Sequence, residues 1–381
     1  MKKKCLAVGI ILLFVGTCII PAIAQNTEKS LSSRGNWLYV GGSGLGNYTR
    51  IQDAIDNSSD GDTVFVYDDS SPYLESVKIN KSISLKGENP ETTVISDNES
   101  YDTIDFQRNN IKLTGFTLKN GHYAVKNSVV NISNCTVFNN IFDGNYAGVW
   151  FEYSFNLTIT ENYFFENHFA LAITNSHNVI VSLNTIKLNV EGICVDGNEN
   201  VTISLNTIEE NSDLGISIYR YPLHTFIPDN YQVFSNIIKN NYEAIYNNQE
   251  SGIFRDNVIE SNHVGINFQY SSKTVISSNL IKNNTVGVTI HDGSYNEIIM
   301  NNFLQNGRDA AFFYHLKIGF RRPHNVFRQN YWDTNTSLGP KSIKGQLEFN
   351  VGFYPTILIR IPWFCFDWFP AKEPYDIPGM R

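Results

Sequence analysis

The feature that most constrains this chain is a repeat that recurs about every 22 residues between Asn156 and Asn330. An asparagine occupies one fixed place in each copy, and a small residue follows it eight or nine positions later. Each copy is rich in β-branched residues and alternates apolar with polar positions, which predicts strands and not helices. Because periods of about 20 to 50 residues are typical of solenoids, the repeat predicts an all-β fold: a single-stranded right-handed parallel β-helix.

The repeated positions are expected to form columns along the solenoid, since equivalent residues of successive turns stack about 4.8 Å apart. Apolar positions predict inner columns that build the core. The asparagines are predicted to bond their amides from turn to turn, because a buried amide without partners costs about 1–3 kcal/mol. This predicted structural ladder consists of Asn162, Asn184, Asn206, Asn236, Asn257, Asn279, Asn302 and Asn330.

The chain divides into five predicted segments of one solenoid domain. Residues 1–24 have the basic start, the apolar run and the Ala22-Ile23-Ala24 end of a secretory signal peptide; a leader retained as a membrane anchor is the alternative. Residues 25–36 are polar and predict a disordered leader. Residues 37–80 predict an N-terminal cap and first strands, with a short helix opened by a capping box at Thr49–Gln52. Residues 81–337 predict about eleven repeat turns, and the aromatic residues 338–381 predict a tail that caps the C-terminal end.

Charge and cysteine content exclude several classes of protein. The chain has 29 Lys and Arg against 37 Asp and Glu, a net charge of −8, so no nucleic-acid partner is expected. Beyond the leader no stretch is apolar enough to predict an integral membrane segment. Cys135, Cys194 and Cys365 are odd in number and lack paired spacing, so disulfides do not define the fold. Asn-x-Ser/Thr sequons occur along the chain, which is consistent with a glycoprotein and leaves open which of them carry glycans.

Three blocks of sequence carry a family resemblance. The opening block IQDAIDNSSDGDTVFVY resembles the start of pectate-lyase-like parallel β-helix proteins. The repeats resemble the NosD-like group of secreted archaeal and bacterial proteins, and the ending NYWD…IPWFCFDWFPAKEPYDI resembles tails of archaeal β-helix proteins. The resemblance covers residues 37–377 and implies an exported β-helix protein, secreted or on the cell surface. It does not imply an activity, because related folds include lyases, hydrolases, epimerases and proteins without catalysis.

The NosD-like resemblance also implies copper, which prefers thiolate, thioether and imidazole ligands. Outside the leader the only methionines are Met300 and Met380, and the histidines are scattered. Calcium would need aspartates clustered on adjacent turns, and no such cluster is present. We therefore predict no metal site and no cofactor.

One outward face of the repeats is predicted to bind a polysaccharide or glycan, because aromatic rings stack on sugar faces while amides and charged groups bind hydroxyls. Two long insertions, at 219–230 and 314–325, follow this face and predict the walls of a groove. An ordinary solvated sheet face, on which β propensity alone recruits aromatic residues, remains the alternative. The predicted ligand-binding face consists of Trp150, Tyr219, Arg220, Tyr246, Asn248, Gln269, His291, Tyr314 and Arg321.

No complete catalytic constellation of known β-helix enzymes is present. The one acid pair is Glu152 and Asp196, predicted two turns apart with backbones about 9–10 Å from each other, close to the carboxyl separation of about 6.5–9.5 Å in inverting glycosidases. Three hypotheses follow. The first is a non-catalytic surface protein that binds carbohydrate and associates with the cell envelope; the others are a polysaccharide lyase or glycoside hydrolase, and a structural or adhesive rod.

Overall fold

The computed structural model describes residues 35–96, 102–220, 230–315, 324–335, 339–351 and 357–377. The predicted signal peptide, nearly all of the predicted leader, and Arg321 lie outside these residues. The described residues form short strands that wind into a three-sided parallel solenoid, and the third side counts twelve strands. The predicted right-handed parallel β-helix is confirmed. The repeat segment supplies eleven strands of the third side, and the twelfth, Tyr73–Leu74, lies in the segment predicted as the N-terminal cap.

Sheet 1 forms one side, and each of its strands pairs in parallel with the equivalent strand of the next turn. Its strands are β4 (Val77–Ile79), β7 (Asp102–Phe106), β10 (Tyr123–Asn127), β13 (Ala147–Glu152), β16 (Phe169–Thr174), β19 (Glu191–Asp196), β22 (Leu214–Tyr219), β25 (Glu243–Asn247), β28 (Val264–Gln269), β31 (Val286–His291), β34 (Arg308–His315) and β37 (Lys341–Val351).

Sheet 2 forms the second side and begins with the first strand of the chain. Its strands are β1 (Trp37–Val40), β2 (Thr63–Val66), β5 (Ser84–Gly87), β8 (Lys112–Thr114), β11 (Thr136–Phe138), β14 (Phe155–Thr160), β17 (His177–Ser182), β20 (Glu199–Ser204), β23 (Tyr231–Phe234), β26 (Ile253–Arg255), β29 (Val275–Ser277), β32 (Glu297–Ile299), β35 (Val326–Arg328) and β38 (Ile357–Asp367).

Sheet 3 forms the third side and consists of the shortest strands. They are β3 (Tyr73–Leu74), β6 (Val94–Ser96), β9 (Thr117–Lys119), β12 (Ile141–Asp143), β15 (Tyr163–Phe165), β18 (Thr185–Lys187), β21 (Thr207–Glu209), β24 (Ile237–Lys239), β27 (Val258–Glu260), β30 (Leu280–Lys282), β33 (Asn302–Leu304) and β36 (Tyr331–Trp332).

The core is a stack of in-register apolar columns, as the repeat predicts. Along sheet 1, Leu171 pairs with Ile193 of the next turn, and Ile193 pairs with Ile216. All three side chains are buried. Because side chains alternate between the two faces of a strand, the residues between them point outward, and sheet 1 gains an outer face of fixed register.

Two asparagine ladders flank sheet 3 and satisfy the backbone where the chain turns. In the first ladder each amide nitrogen donates to the amide oxygen of the next turn, and the same oxygen accepts the backbone N–H of the preceding asparagine, as Asn206 and Asn236 show at 3.0 Å for both bonds. Its members are Asn140, Asn162, Asn184, Asn206, Asn236, Asn257, Asn279, Asn301 and Asn330. The second ladder was not predicted, and its members are Asn145, Asn167, Asn189, Asn211, Asn241, Asn262, Asn284 and Asn306.

The prediction that Asn302 belongs to the first ladder is wrong. Asn301 accepts from Asn279 at 2.9 Å and donates to Asn330 at 3.0 Å, which places it in the column. Asn302 is the next residue and begins β33, so its side chain points elsewhere. Its amide binds the C-terminal tail, donating to the Tyr375 carbonyl at 2.8 Å and accepting the Tyr375 N–H at 2.9 Å.

A short helix, α1 (Ile51–Asp56), packs at the N-terminal end and buries Ile51, Ala54 and Ile55. The predicted capping box does not form, because the N-cap residue is Arg50 and its side chain makes no capping hydrogen bond. Glu75 supplies the cap from a later segment, accepting the backbone N–H groups of Ile51 at 2.9 Å and Gln52 at 3.2 Å. Among the described residues no helix is long and apolar enough to cross a membrane.

At the C-terminal end the tail forms an antiparallel hairpin of β37 and β38, which extends sheet 1 and touches sheet 2 at Phe327 and Asp367. Gly345 lies against the ring of Phe312, where a Cβ would collide with that ring. Asp367 is fully buried and accepts the Asn330 N–H at 2.9 Å and the Trp332 indole N–H at 3.1 Å. The tail also leaves large apolar side chains exposed: Leu358, Ile359, Ile361, Trp363, Phe364, Phe366, Trp368 and Phe369.

Candidate ligand-binding face

The outer face of sheet 1 carries two columns of side chains in strict register. The first column runs Trp150, Ala172, Cys194, Ser217 and Tyr246 on five successive turns. The second column runs Glu152, Thr174, Asp196 and Tyr219 on four of the same turns. Four steps of about 4.8 Å span about 19 Å along the axis.

A cavity of about 700 Å³ opens on these columns. The side chains at its centre are small, whereas those at its two ends are aromatic, so the floor is lower in the middle than at the ends. We call this the sheet 1 cavity, and its lining residues are Trp150, Phe169, Ala172, Thr174, Glu191, Cys194, Asp196, Tyr219, Arg220, Tyr246 and Asn248.

Aromatic clusters border both ends of the sheet 1 cavity. At one end the Trp150 ring lies 5.3 Å from Tyr123 and 6.0 Å from Phe169, measured between ring centroids. At the other end Tyr219 and Tyr246 lie 5.2 Å apart with their planes tilted by 42°. Aromatic side chains offer large flat apolar surfaces that also carry polar tips. The two ends can therefore hold two flat apolar faces of one elongated ligand.

Two polar side chains on the cavity wall, or beside it, make short hydrogen bonds, and a third makes only a long one. The Trp150 indole N–H donates to the Glu152 carboxylate at 3.0 Å. The Asn248 side-chain oxygen accepts the Arg220 backbone N–H at 2.6 Å, which fixes the start of the first insertion. Glu191 accepts only a long bond, 3.5 Å, from the Ser217 hydroxyl. Burial, followed by the nearby Asp213, raises the pKa of the Glu191 carboxyl above its usual range.

The cavity floor offers no activated nucleophile. Burial raises the pKa of the Cys194 thiol to about 12. Burial likewise raises the pKa of the Tyr219 hydroxyl. Since a thiolate and not a thiol is the reactive form, Cys194 serves as a small, neutral floor residue.

One turn of the solenoid lies between the two acids of the predicted pair. Glu152 pairs with Thr174, and Thr174 pairs with Asp196, so the two acids stand two turns apart in one column. Asp196 lines the cavity, whereas Glu152 does not line it and binds the Trp150 indole. Thr174 stands between the two acids in this column, and no other acid or base does among the described residues.

The structure unites part of the predicted face and separates the rest. The sheet 1 cavity is lined by five residues of the predicted face: Trp150, Tyr219, Arg220, Tyr246 and Asn248. Gln269 and His291 pair with each other on later turns and do not line it. The His291 ring stacks on Phe313 with centroids 4.7 Å apart, and burial lowers the pKa of His291. The cavity therefore spans the turns before the first insertion and the one turn after it, and does not extend to the turns of Gln269 and His291.

The assignment of Tyr314 to the outer face is wrong. His291 pairs with Phe313, which takes the outward position, while Tyr314 is buried in the core and receives a hydrogen bond from Asn325. The misplaced anchor at Asn302 caused this error, because a shift of one residue moves every following side chain to the opposite face of the strand. Arg321 lies outside the described residues.

Sequence reasoning missed Phe169 and Glu191, which line the cavity from the first positions of β16 and β19. They pair with each other across adjacent turns. Both precede the small residue of the repeat, Ala170 or Gly192, whereas the predicted face takes only positions after it. An aromatic and an acidic residue recurring just before the small position is the signal that locates them.

Comparison with known proteins identifies the family. A family model described as periplasmic copper-binding protein (NosD) matches residues 55–251 and 173–346. A cell surface glycoprotein of Methanothermus fervidus is 30% identical over 109 residues, which cover 28% of this chain and 17% of that protein.

Solved structures share the fold at low sequence identity. The Dettilon tailspike protein superposes with a TM-score of 0.57 at 11% identity, covering 87% of this chain and 78% of its own. The A-module of a mannuronan C-5 epimerase from Azotobacter vinelandii gives a TM-score of 0.54 at 14% identity, covering 73% and 92%. At these identities the likeness concerns the fold alone.

Copper, which the family description implies, does not fit the residues present. Within the described ranges no group of three or more His, Cys, Asp or Glu side chains is placed to hold a metal ion. Burial raises the pKa of the Cys135 thiol and of the Cys365 thiol to about 11. A metal ion would have to displace the proton from either thiol, because cysteine binds metals as the thiolate.

Proposed function

This chain belongs to the NosD family, and we propose that it is an exported surface protein that binds carbohydrate in the sheet 1 cavity without cleaving it. The observation that carries the proposal is the shape of the cavity. Aromatic rings stand at both ends of a trough about 19 Å long, with small side chains between them. Such a trough matches a short linear oligosaccharide, in which flat apolar ring faces alternate with hydroxyl groups.

The surface location is supported by the names of related proteins. The family description refers to the periplasm, and the Methanothermus relative is a cell surface glycoprotein. The Asn-x-Ser/Thr sequons are consistent with such a setting, and several of their asparagines, including Asn131, Asn156, Asn200 and Asn283, are exposed.

The absence of cleavage is proposed from the chemistry of the cavity. Among the described residues Asp196 and Glu191 are its only lining acids, and both lie on one strand. Cys194 is neutral, and Glu152 is engaged by Trp150. General acid–base hydrolysis needs two carboxyl groups facing each other across the scissile bond, and the described residues present no such pair.

A glycan array followed by titration calorimetry tests the binding. We expect Trp150→Ala and Tyr246→Ala each to weaken binding at least about tenfold, or about 1.4 kcal/mol, because each removes one aromatic end of the trough. Tyr270→Ala is the matched control, since Tyr270 is an exposed tyrosine outside the cavity. Binding that is lost equally in all three variants, or in none, contradicts the assignment of the cavity.

The same samples distinguish binding from catalysis. Incubation with each bound glycan is expected to leave the number of reducing ends and the absorbance of unsaturated products unchanged. New reducing ends that disappear in Asp196→Asn would instead establish a hydrolase.

A further inference from the structure

We infer that the sheet 1 cavity selects a glycan that carries free, protonated amino groups over a glycan of uronic acids. This inference rests on the proposed function, because it names the class of carbohydrate that the same cavity takes. The cavity and its aromatic ends define the site, and the charges around it define the ligand.

The charges that line the cavity are predominantly negative. Glu191 and Asp196 are lining acids, and Arg220 is the one lining base among the described residues. Glu152 adds a third carboxylate beside Trp150. A uronate polymer would bring a carboxylate to every ring and would meet this negative wall.

An acidic edge continues from the cavity along sheet 1. Glu191 and Glu243 are the first residues of β19 and β25, and Asp213 immediately precedes β22 on the turn between them. None of the three forms an ion pair within the described part of the chain. The proximity of Asp213 adds to the burial that raises the pKa of Glu191 and of Glu243. Asn267 donates to both carboxylate oxygens of Glu243 at 3.2 and 3.1 Å. His263 is close enough to Glu243 to oppose its pKa rise.

Glu191 is the acid best placed to contact a ligand. It lines the cavity, it is half-buried, and among the described residues its one hydrogen bond is the 3.5 Å contact from Ser217. A half-buried carboxylate without a cation is unfavourable in the free protein, and a protonated amine supplies the missing charge. The aromatic ends add to the preference, since a cation near a tyrosine or tryptophan face is attracted to the ring.

Elsewhere on the solenoid, other half-buried acids do have cationic partners. Glu209 binds Lys187 at 3.3 Å and Lys239 at 2.8 Å, and Glu260 binds Lys282 at 3.2 Å. These pairs lie on sheet 3. A shortage of lysine in the repeat therefore does not explain why these acids at the edge of sheet 1 have no ion pair among the described residues.

Calorimetry with three tetrasaccharides tests the inference: glucosamine tetramer, its fully N-acetylated form and galacturonic acid tetramer. At about pH 6 and low salt we expect the glucosamine tetramer to bind at least about tenfold more tightly than either of the others. Raising the salt is expected to weaken only the glucosamine complex, because charge attraction is screened.

Variants test separately whether the cavity binds carbohydrate and whether it prefers a protonated amine. Glu191→Gln is expected to remove most of the preference for the amine, measured as the ratio of the dissociation constants of the glucosamine tetramer and its N-acetylated form. Glu297→Gln is the control, because Glu297 is an exposed acid on sheet 2 without an ion pair in the described residues. Equal or tighter binding of the N-acetylated or galacturonic tetramer overturns the inference and leaves carbohydrate binding intact. If none of the three binds, and the glycan array is also silent, the proposed function fails with it.

Discussion

Replacing one asparagine of the first ladder tests whether the ladders hold the solenoid together. Asn236 is fully buried, and its side chain takes part in five hydrogen bonds. Its amide nitrogen donates to the Ile203 carbonyl at 2.9 Å, the Phe234 carbonyl at 3.1 Å and the Asn257 amide oxygen at 3.0 Å. Its oxygen accepts the backbone and side-chain N–H groups of Asn206, each at 3.0 Å.

The expected cost of Asn236→Ala follows from the groups left without partners. The Asn206 backbone N–H and the Ile203 carbonyl both lose a bond in a region that water does not reach. Each buried polar group left unsatisfied costs about 1–3 kcal/mol, which predicts a loss of about 2–6 kcal/mol. Because a solenoid's stability depends on contacts between neighbouring turns, the loss is expected to be concentrated in the turns on either side of residue 236.

Native-state hydrogen exchange measures this local loss, and urea unfolding followed by circular dichroism measures the global one. Asn178→Gly is the matched control. Asn178 also stacks, donating to Asn156 at 2.9 Å, but it is exposed and has a positive φ of 56° that glycine accepts. We expect the control to change stability by no more than about 0.5 kcal/mol. Equal effects of the two substitutions would refute the view that burial makes the ladder necessary.

Three further predictions concern other parts of the molecule. Asp367→Ala is expected to release the C-terminal hairpin, because five donors lose their acceptor; faster proteolysis of the tail, with the repeats intact, is the readout. Glu243→Gln should stabilise the protein at pH 7 and not at pH 4. The pKa of Glu243 is raised above 4.5 in the folded state, so the native protein loses stability as the pH rises from the unfolded-state pKa through the folded-state pKa. Equal shifts in melting temperature at both pH values would contradict this prediction. The Cys135 thiol, with a pKa of about 11, should resist DTNB until urea unfolds the chain.

The fold could be predicted because the same local pattern is written many times. A column of Leu171, Ile193 and Ile216 is visible once the copies are aligned, and no long-range information is needed to see it. The error at Asn302 shows the limit of that alignment. Two asparagines stand side by side at 301–302; the 22-residue period counted from Asn279 favours Asn301, and the hydrogen bonds to Asn279 and Asn330 place Asn301 in the ladder.

The candidate site was harder to predict because its shape depends on side-chain volumes across five turns. Ala172 and Cys194 form the low floor only because their neighbours along the axis, Trp150 and Tyr246, are large. The antiparallel hairpin of the tail was also beyond prediction. Its residues do not repeat, so they supply no second copy against which to align a register.

The first asparagine ladder gives the rod an electrostatic direction. Every amide oxygen in it accepts from the preceding turn and every amide nitrogen donates one of its bonds toward the C-terminal end, from Asn140 through to Asn330, so the amide dipoles share one direction with their positive end at Asn330. The carboxylate of Asp367 accepts the last of these donors at 3.2 Å, which places a negative charge where the dipoles converge, as an acidic residue does at a helix N-terminus. The exposed column of Asn134, Asn156 and Asn178 donates the opposite way. A turn added to the solenoid therefore has to carry an asparagine at each of these positions to keep both columns continuous.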